Sequence, residues 1–457
     1  MNQFSRRSFV KGSSLAVGGV LAGVTAGSAQ SLTSTQKGLS FRKPGEKLRM
    51  AFIGSGGRGD ANLNEFYQLG EEIVALCDID KGRLEGAANK VKERCSALRK
   101  YADFRELLAS EKDLDAVVVS TPDHMHAAAA IAAMKTGHHV YVEKPLVRTV
   151  WEVRQFKKVA DELGVISQMG NNGNGSPEQR RRIEVLQSGI FGRIDEVHVT
   201  SDRPIWPQGI NRPAESDPRP ENINWDLWLG VARERPYKKD VYHPFKWRGW
   251  FDFGTGAMGD IACHAMSDFF RAFKLAEVLT VECVKSTQKF PETYPVATTV
   301  KTVYRSDMQA EPITVYWYDG NTLPEPAVCP KASKAFGNLG GQTIIAERAV
   351  IRGHSVCWNE EESFKGFAKD ERCCKVGESI PRVKSHHWEF AEAIRGGNRP
   401  LSHHEHSVPL TEGVLLGCIA QQAPGELQWD AKAMKFRNSF EGNKLIDPYI
   451  RDGWSIV

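Results

Sequence analysis

After residue 47, hydrophobic positions fall in short unbroken blocks separated by charged, helix-favouring stretches. Leu48-Arg49-Met50-Ala51-Phe52-Ile53 predicts a strand that runs directly into Gly54-Ser55-Gly56-Gly57-Arg58-Gly59. Ile73–Cys77 predicts a second strand, and residues 81–99, rich in Lys, Glu, Ala and Arg, predict a helix. A β-branched block at 116–120, an Ala-rich helical block at 126–134, a strand at 139–142 and a helix at 150–163 continue the alternation. Apolar strands that alternate with helices predict a parallel sheet covered on both faces.

From about Gln168 the pattern changes. Tryptophans cluster between 206 and 250, prolines interrupt regular structure, and longer β-rich segments follow at 196–200, 278–284, 297–304 and 313–317. Helices are predicted at about 387–395 and 410–420. This is the pattern of a second α/β domain with a large, mainly antiparallel open sheet, buried on one face. A chain of 457 residues also exceeds what one hydrophobic core ordinarily supports. The predicted organisation is residues 1–29 as an export signal, 30–47 as a linker or arm, 48–167 as a nucleotide-binding domain and 168–457 as a substrate and oligomerisation domain.

Composition excludes some classes and adds an address. The chain is 41% hydrophobic and 25% charged, which is ordinary for a globular protein. Its formal charge of +4 falls to +1 without Arg6, Arg7 and Lys11, so nothing argues for nucleic acid or an anionic membrane surface. Ser5-Arg6-Arg7-Ser8-Phe9-Val10-Lys11 precedes a glycine-rich, weakly apolar run that is too short to span a bilayer. Small residues, with Gly27-Ser28-Ala29 a candidate cleavage site, follow it. Paired arginines in that setting predict twin-arginine export to the periplasm or beyond, with no stable membrane insertion once the signal is removed. The nine cysteines are odd in number and include no CxxC pair, so most are expected to be small buried hydrophobes; Cys373 and Cys374 have no assigned role.

The glycine loop carries the first chemistry. Gly54, Gly56 and Gly59 form a G-x-G-x-x-G, with Gly57 and Arg58 inside it, after a strand and before a helix. There the glycines permit a tight turn and close backbone approach to a dinucleotide pyrophosphate. Asp78, about 20 residues further on at the end of the second strand, suits a ribose diol and would repel a 2′-phosphate, which favours NAD over NADP. Asp80 competes for that role, and Arg58 or Arg83 could accommodate a phosphate.

Two further segments narrow the picture. They are Ser120-Thr121-Pro122-Asp123-His124-Met125-His126, continuing to Val142-Glu143-Lys144-Pro145, and Gly256-Ala257-Met258-Gly259-Asp260-Ile261-Ala262-Cys263-His264. Together with the glycine loop they resemble the glucose–fructose oxidoreductase / inositol dehydrogenase (Gfo/Idh/MocA) family. The resemblance implies a Rossmann domain followed by an α/β substrate domain, and a homo-oligomer, dimer or tetramer. It implies that Lys144 contacts substrate and nicotinamide ribose, and that His264 of the Asp260/His264 pair is the acid/base. It also places Thr121, Pro122, Asp123, His126 and Glu143 at the cofactor, although the family usually has Asn where Asp123 stands. Residues 168–174 are expected to bridge the domains. Elementary chemistry agrees: Asp260 and His264 at i, i+4 share a helix face, and a nearby lysine cation favours a developing alkoxide.

Trp206, Tyr242, His243, Trp247 and Arg248 are the candidate carbohydrate contacts, with Arg203 and His198 ranking after them. Aromatic faces pack on sugar C–H faces and polar tips bond hydroxyls, but a loop core would use the same residues. His403-His404-Glu405-His406 lacks metal-ligand spacing, and no metal is expected. An exported dehydrogenase must retain its nicotinamide cofactor tightly. The chain is therefore expected to be an NAD-dependent sugar or glycoside oxidoreductase. The alternative is a redox-neutral glycoside hydrolase that oxidises C3, eliminates, hydrates and reduces. A non-catalytic sugar- or nucleotide-binding protein is the remaining alternative.

Overall fold

Strands as uniformly apolar as Ala116–Val119 can be satisfied only inside a sheet with both faces covered. The computed structural model describes residues 39–324 and 341–456. Its first sheet comprises β1 (Arg49–Ile53), β2 (Glu72–Cys77), β3 (Arg99–Tyr101), β4 (Ala116–Val119), β5 (His139–Val142) and β6 (Ser167–Met169). All are parallel, in the order β3-β2-β1-β4-β5-β6. The order reverses between β1 and β4, the switch point where open parallel sheets bind ligands. The connecting helices are α1 (Arg58–Gln68), α2 (Lys81–Val91), α3 (Phe104–Ser110), α4 (Asp123–Lys135) and α5 (Val150–Leu163).

The helix predicted over 81–99 is shorter in the structure. Asp80 caps α2 by accepting from the backbone N–H groups of Gly82 and Arg83, and the chain leaves the helix after Val91. Arg99-Lys100-Tyr101 then forms β3, an edge strand without an apolar pattern. Helix α5 has the predicted bounds, and a reciprocal capping box between Thr149 and Glu152 sets its start.

The second sheet has ten strands. In chain order they are β7 (Ile194–Thr200), β8 (Leu275–Ser286), β9 (Thr298–Ser306), β10 (Ile313–Tyr318), β11 (Gln342–Ala346), β12 (Ala349–Arg352), β13 (Ser355–Trp358), β14 (Lys365–Gly366), β15 (Leu427–Asp430) and β16 (Lys435–Phe436). Across the sheet the order is β14-β13-β12-β11-β7-β10-β9-β8-β15-β16, antiparallel except for the β7–β10 pair. Helices α6 (Pro177–Gln187), α7 (Trp225–Leu229), α8 (Gly256–Ala265) and α9 (Ser267–Ala272) belong to this half.

Two later helices join the halves. His404–Ala420, almost wholly buried, packs against α5, α8 and β8, and begins earlier than predicted because Pro409 is accommodated inside it. His386–Ile394 runs back to the first sheet. Its Phe390 and Ile394 share a core with Phe52, Phe66 and Tyr141, and the Phe66 and Phe390 rings meet edge to face at 6.1 Å. The chain thus crosses the predicted boundary at residue 168 twice, with β6 and with this helix. The described part of the arm lies on its own chain: Arg42 pairs with Asp115 at 2.9 Å.

No described helix is long and apolar enough to cross a membrane. The eight described cysteines are free; six are buried, Cys283 is half-buried and Cys374 is exposed. The twin-arginine segment, its cleavage site and Cys329 lie outside the described residues.

Truncating Phe390 to Ala should lower unfolding free energy by about 3–5 kcal/mol in a denaturant titration. A loss under about 1 kcal/mol would contradict the docking of this helix into the first domain's core.

Candidate active site

The glycine turn follows β1 because nothing larger fits. Gly54 has φ +84, and a Cβ there would stand 2.7 Å from the Ser120 carbonyl oxygen. At Gly59 a Cβ would fall 1.9 Å from the Gly54 carbonyl oxygen, so α1 could not start so close to the strand. Gly54, Gly56, Gly57 and Arg58, at the turn into α1, line a cleft of about 380 Å³.

Asp78 stands beyond the end of β2 and lines this cleft. Its carboxylate accepts from the backbone N–H groups of Ser55 at 2.7 Å and Asp80 at 2.9 Å, which fixes its direction. Burial raises its pKa, and those two N–H groups oppose the rise without cancelling it. Asp80 is committed elsewhere: it caps α2 and accepts from Asn222 Nδ2 at 3.1 Å. Arg83 covers the glycine turn, its guanidinium lying where a Cβ of Gly56 would project.

The other end of the cleft is built from the ends of β4 and β5. Thr121, Pro122, Asp123, Glu143 and Lys144 all line it. Glu143 accepts from Arg58 Nε at 3.1 Å and Asn62 Nδ2 at 2.9 Å, tying the loop after β5 to α1. Asp123 accepts from Thr255 Oγ1 at 2.8 Å, and burial raises its carboxyl pKa despite the nearby His126 and Lys144. His126 does not reach the cleft. Its buried ring lies between the Pro145 and Thr121 carbonyl oxygens, at 2.8 and 2.9 Å, and holds the two loops together from behind.

Lys144 crosses to the second domain. Its Nζ donates to Asp260 Oδ1 at 2.7 Å and to the Asp260 carbonyl oxygen at 2.8 Å. Arg248 Nε donates to the same Oδ1 at 3.0 Å. Burial alone would raise the Asp260 pKa, but the Lys144 and Arg248 cations outweigh it and hold the carboxyl below its usual range. His264, one turn further along α8, is open to solvent on one side, with protein mass surrounding it at longer range. That enclosure, then the Lys144 ammonium, lowers its pKa below the usual 6.5, while Asp260 pulls the other way. Water on the open side moderates the effect of enclosure. Lys144 and Arg248 line the cleft, whereas Asp260 and His264 stand behind them and are not part of its lining.

Of the candidate carbohydrate contacts, His243, Trp247 and Arg248 reach the cleft. His243 sits 3.5 Å from Asp80, and so at the ribose end. Tyr242 does not line the cleft; it belongs to an aromatic core with Trp225, Trp228, Trp250 and Phe253. Trp206 is buried behind the wall, its Nε1 donating to Gln208 at 3.0 Å. Phe104, Trp228, Phe245 and Trp454 also line the cleft, and no sequence motif marks them. Trp454 lies more than two hundred residues from the rest of its wall, and no local sequence pattern indicates it. Asn171 and Asn174 do bridge the halves, donating to the Cys263 carbonyl and to Ser267. His404 is held by Ser167 and Asp161, and His406 by Ser267.

This cradle fits a dinucleotide. Gly54 and Gly59 leave no room for side chains, Asp78 directly follows β2, and Thr121 Oγ1, buried at the cleft, has no partner. Pyrophosphate would lie at Gly54–Gly59, a ribose diol at Asp78 and the nicotinamide end near Thr121 and Lys144.

Residues 48–171 match the Gfo/Idh/MocA description "Oxidoreductase family, NAD-binding Rossmann fold", and residues 186–290 match its C-terminal alpha/beta domain. The chain is 31% identical over 208 residues to a glycosyl hydrolase family 109 protein of Shewanella baltica (strain OS185), covering 42% of this chain and 45% of that one. It is 34% identical over 155 residues to the alpha-N-acetylgalactosaminidase of Shewanella oneidensis, covering 33% and 34%. The matches therefore span less than half the length of these relatives. Among solved structures, the WlbA dehydrogenase of Bordetella pertussis, in complex with NADH and UDP-GlcNAcA, superposes with a TM-score of 0.57 at 19% identity. That superposition covers 86% of this chain and 99% of that one. Levoglucosan dehydrogenase in complex with NADH gives a TM-score of 0.53 at 18% identity, covering 82% and 96%. At these identities the structures share the fold. With both of its domains matched in order, the chain belongs to the Gfo/Idh/MocA oxidoreductase family.

Proposed function

We propose that this chain is an NAD-dependent oxidoreductase acting on a hydroxyl carbon of a sugar or glycoside. The observation that carries the proposal is the Lys144–Asp260 ion pair at the nicotinamide end of the cleft, with His264 one helical turn away. When bound, NAD supplies a hydride acceptor there. The chain's own residues handle the proton and the charge. His264, neutral because its pKa is depressed, takes the hydroxyl proton. Lys144 stabilises the oxygen as negative charge develops on it. Asp260, held anionic by two cations, fixes the ammonium in place. Trp247 and Arg248 line the substrate side, where an aromatic face and a guanidinium suit a sugar. Asp78 favours NAD over NADP.

A second reading rests on the relatives named as family 109 glycosyl hydrolases and an alpha-N-acetylgalactosaminidase. In it, oxidation at C3 acidifies the C2 proton, the aglycone leaves by elimination across C1–C2, water adds, and the hydride returns. Both readings share the same hydride-transfer site, and both make the cofactor a retained, recycled group. The proposal extends to export by the twin-arginine route with cofactor loaded beforehand, supported by Arg6-Arg7 and the run behind them. It also extends to a homo-oligomer built on the open sheet of the second domain.

Offered a panel of sugars and aryl glycosides, protein purified with its nucleotide should show near-ultraviolet absorbance of reduced nicotinamide. Glycoside cleavage without net reduction would select the hydrolase, and absence of bindable nucleotide would end both readings. Lys144→Ala and His264→Ala should each cut turnover by about 10²–10⁴-fold while nucleotide content is largely retained; full activity in either sinks the site. In Lys144→Met the depressing charge is gone and Asp260 remains anionic beside Arg248. The His264 pKa should then rise in an NMR titration, and an unchanged value would refute the coupling. Replacing Arg6 and Arg7 together by Lys should leave the protein in the cytoplasm, and normal export would refute the assigned route.

A further inference from the structure

The adenosine end of the cleft has a wall that the family motifs do not contain. Pyrophosphate at Gly54–Gly59 and ribose at Asp78 direct the rest of the dinucleotide away from Lys144, toward the end of β3. There the cleft is lined by Ile79, Ala102, Asp103 and Phe104 from the first domain, and by Leu227 and Trp454 from the second half of the chain. Trp454 is half-buried.

The segment bearing Trp454 is firmly tied down. Arg451 donates from its backbone N–H to the Val231 carbonyl at 3.0 Å and from Nε to the Gly230 carbonyl at 2.9 Å. Its other nitrogens reach the Asp226 carboxylate at 2.7 Å and the Asp226 carbonyl at 2.9 Å. Helix α7, which contains Asp226, is itself pinned to the end of β2: the Asn224 N–H donates to the Ile79 carbonyl at 3.0 Å, and the Lys81 N–H to the Asn222 carbonyl, also at 3.0 Å. On the first-domain side, the Arg105 guanidinium lies 4.1 Å from the centre of a Trp454 ring, and Phe104 stands 6.3 Å away from the indole. The Arg105 and Arg451 guanidinium groups thus hold the indole in place, and it lines the groove that continues from Asp78 as a fixed aromatic surface. A purine is the class of group that such a surface takes, because every base offers a π-face.

We propose that Trp454, clamped through Arg451 to α7, forms the outer wall of the adenine pocket and slows release of the dinucleotide. This rests on the cofactor reading above and adds to it the residue that retains the cofactor. Retention is the property an exported, recycling enzyme needs. The wall comes from a segment remote in sequence, so it closes only after both halves of the chain have folded.

The test is an equilibrium titration of nucleotide-free full-length protein with NAD and, separately, with nicotinamide mononucleotide, which lacks the adenosine half. In Trp454→Ala the NAD dissociation constant should rise by about tenfold or more, which corresponds to about 1.4 kcal/mol, within the range of base–aromatic stacking. Nicotinamide mononucleotide should bind as it does to the unsubstituted chain, and Trp454→Phe should recover most of the NAD affinity. Arg451→Ala, at a residue that does not itself line the cleft, should weaken NAD in the same selective way. Unchanged NAD binding in Trp454→Ala overturns the proposal. So does an equal loss for both ligands, which would indicate collapse of the cleft. An unsubstituted chain that binds neither ligand overturns the cofactor reading, and the wall with it.

Discussion

Lys144 carries a positive charge from the end of a strand in one sheet to a carboxylate on a helix of the other. Asp260 would be costly to bury alone, and so would the lysine ammonium. Each is tolerable because the other is 2.7 Å away, and Arg248 adds a second cation at 3.0 Å. The pair therefore demands that the parallel sheet and α8 meet in one relative position. The helix His404–Ala420, packed between α5, α8 and β8, supplies the apolar interface that holds them there. The depressed pKa of His264 and the line of the cleft from glycine turn to substrate wall both follow from that placement.

The same arrangement accounts for residues that sit near the site without touching it. His126 joins two cleft loops from behind, and Asn62 links Glu143 to His387, whose Nε2 lies 3.0 Å from the amide oxygen. His387 belongs to the helix that returns to the first domain. The positions of Arg58, Glu143 and Lys144 thus depend on a segment more than two hundred residues downstream. Such long-range ties make the site rigid before any ligand arrives, as preorganised electrostatics requires.

The aromatic segment between 206 and 250 has two roles. Tyr242, Trp250 and Phe253 fill a core in which Trp225 and Trp228 stack at 4.5 Å, while Trp228 and Trp247 belong to that core and also line the cleft, as Arg248 does. Both roles draw on the same residue types, so only their packing separates scaffold from site.

Local sequence determined whatever depends on local physics. Uninterrupted apolar blocks could only be buried strands, and the glycine turn needs residues without a Cβ at Gly54 and Gly59. The Thr149–Glu152 box set the start of α5, and the spacing of Asp260 and His264 placed them one turn apart. Tertiary structure decided the rest. Arg99–Tyr101 became a strand because an edge position tolerates charge, and Tyr242 went to a core because its neighbours did. Trp454 reached the cleft through the hydrogen bonds of Arg451 to a helix far upstream. None of these outcomes leaves a periodicity or motif, because each depends on contacts between residues distant in the chain, and local propensity carries no record of them.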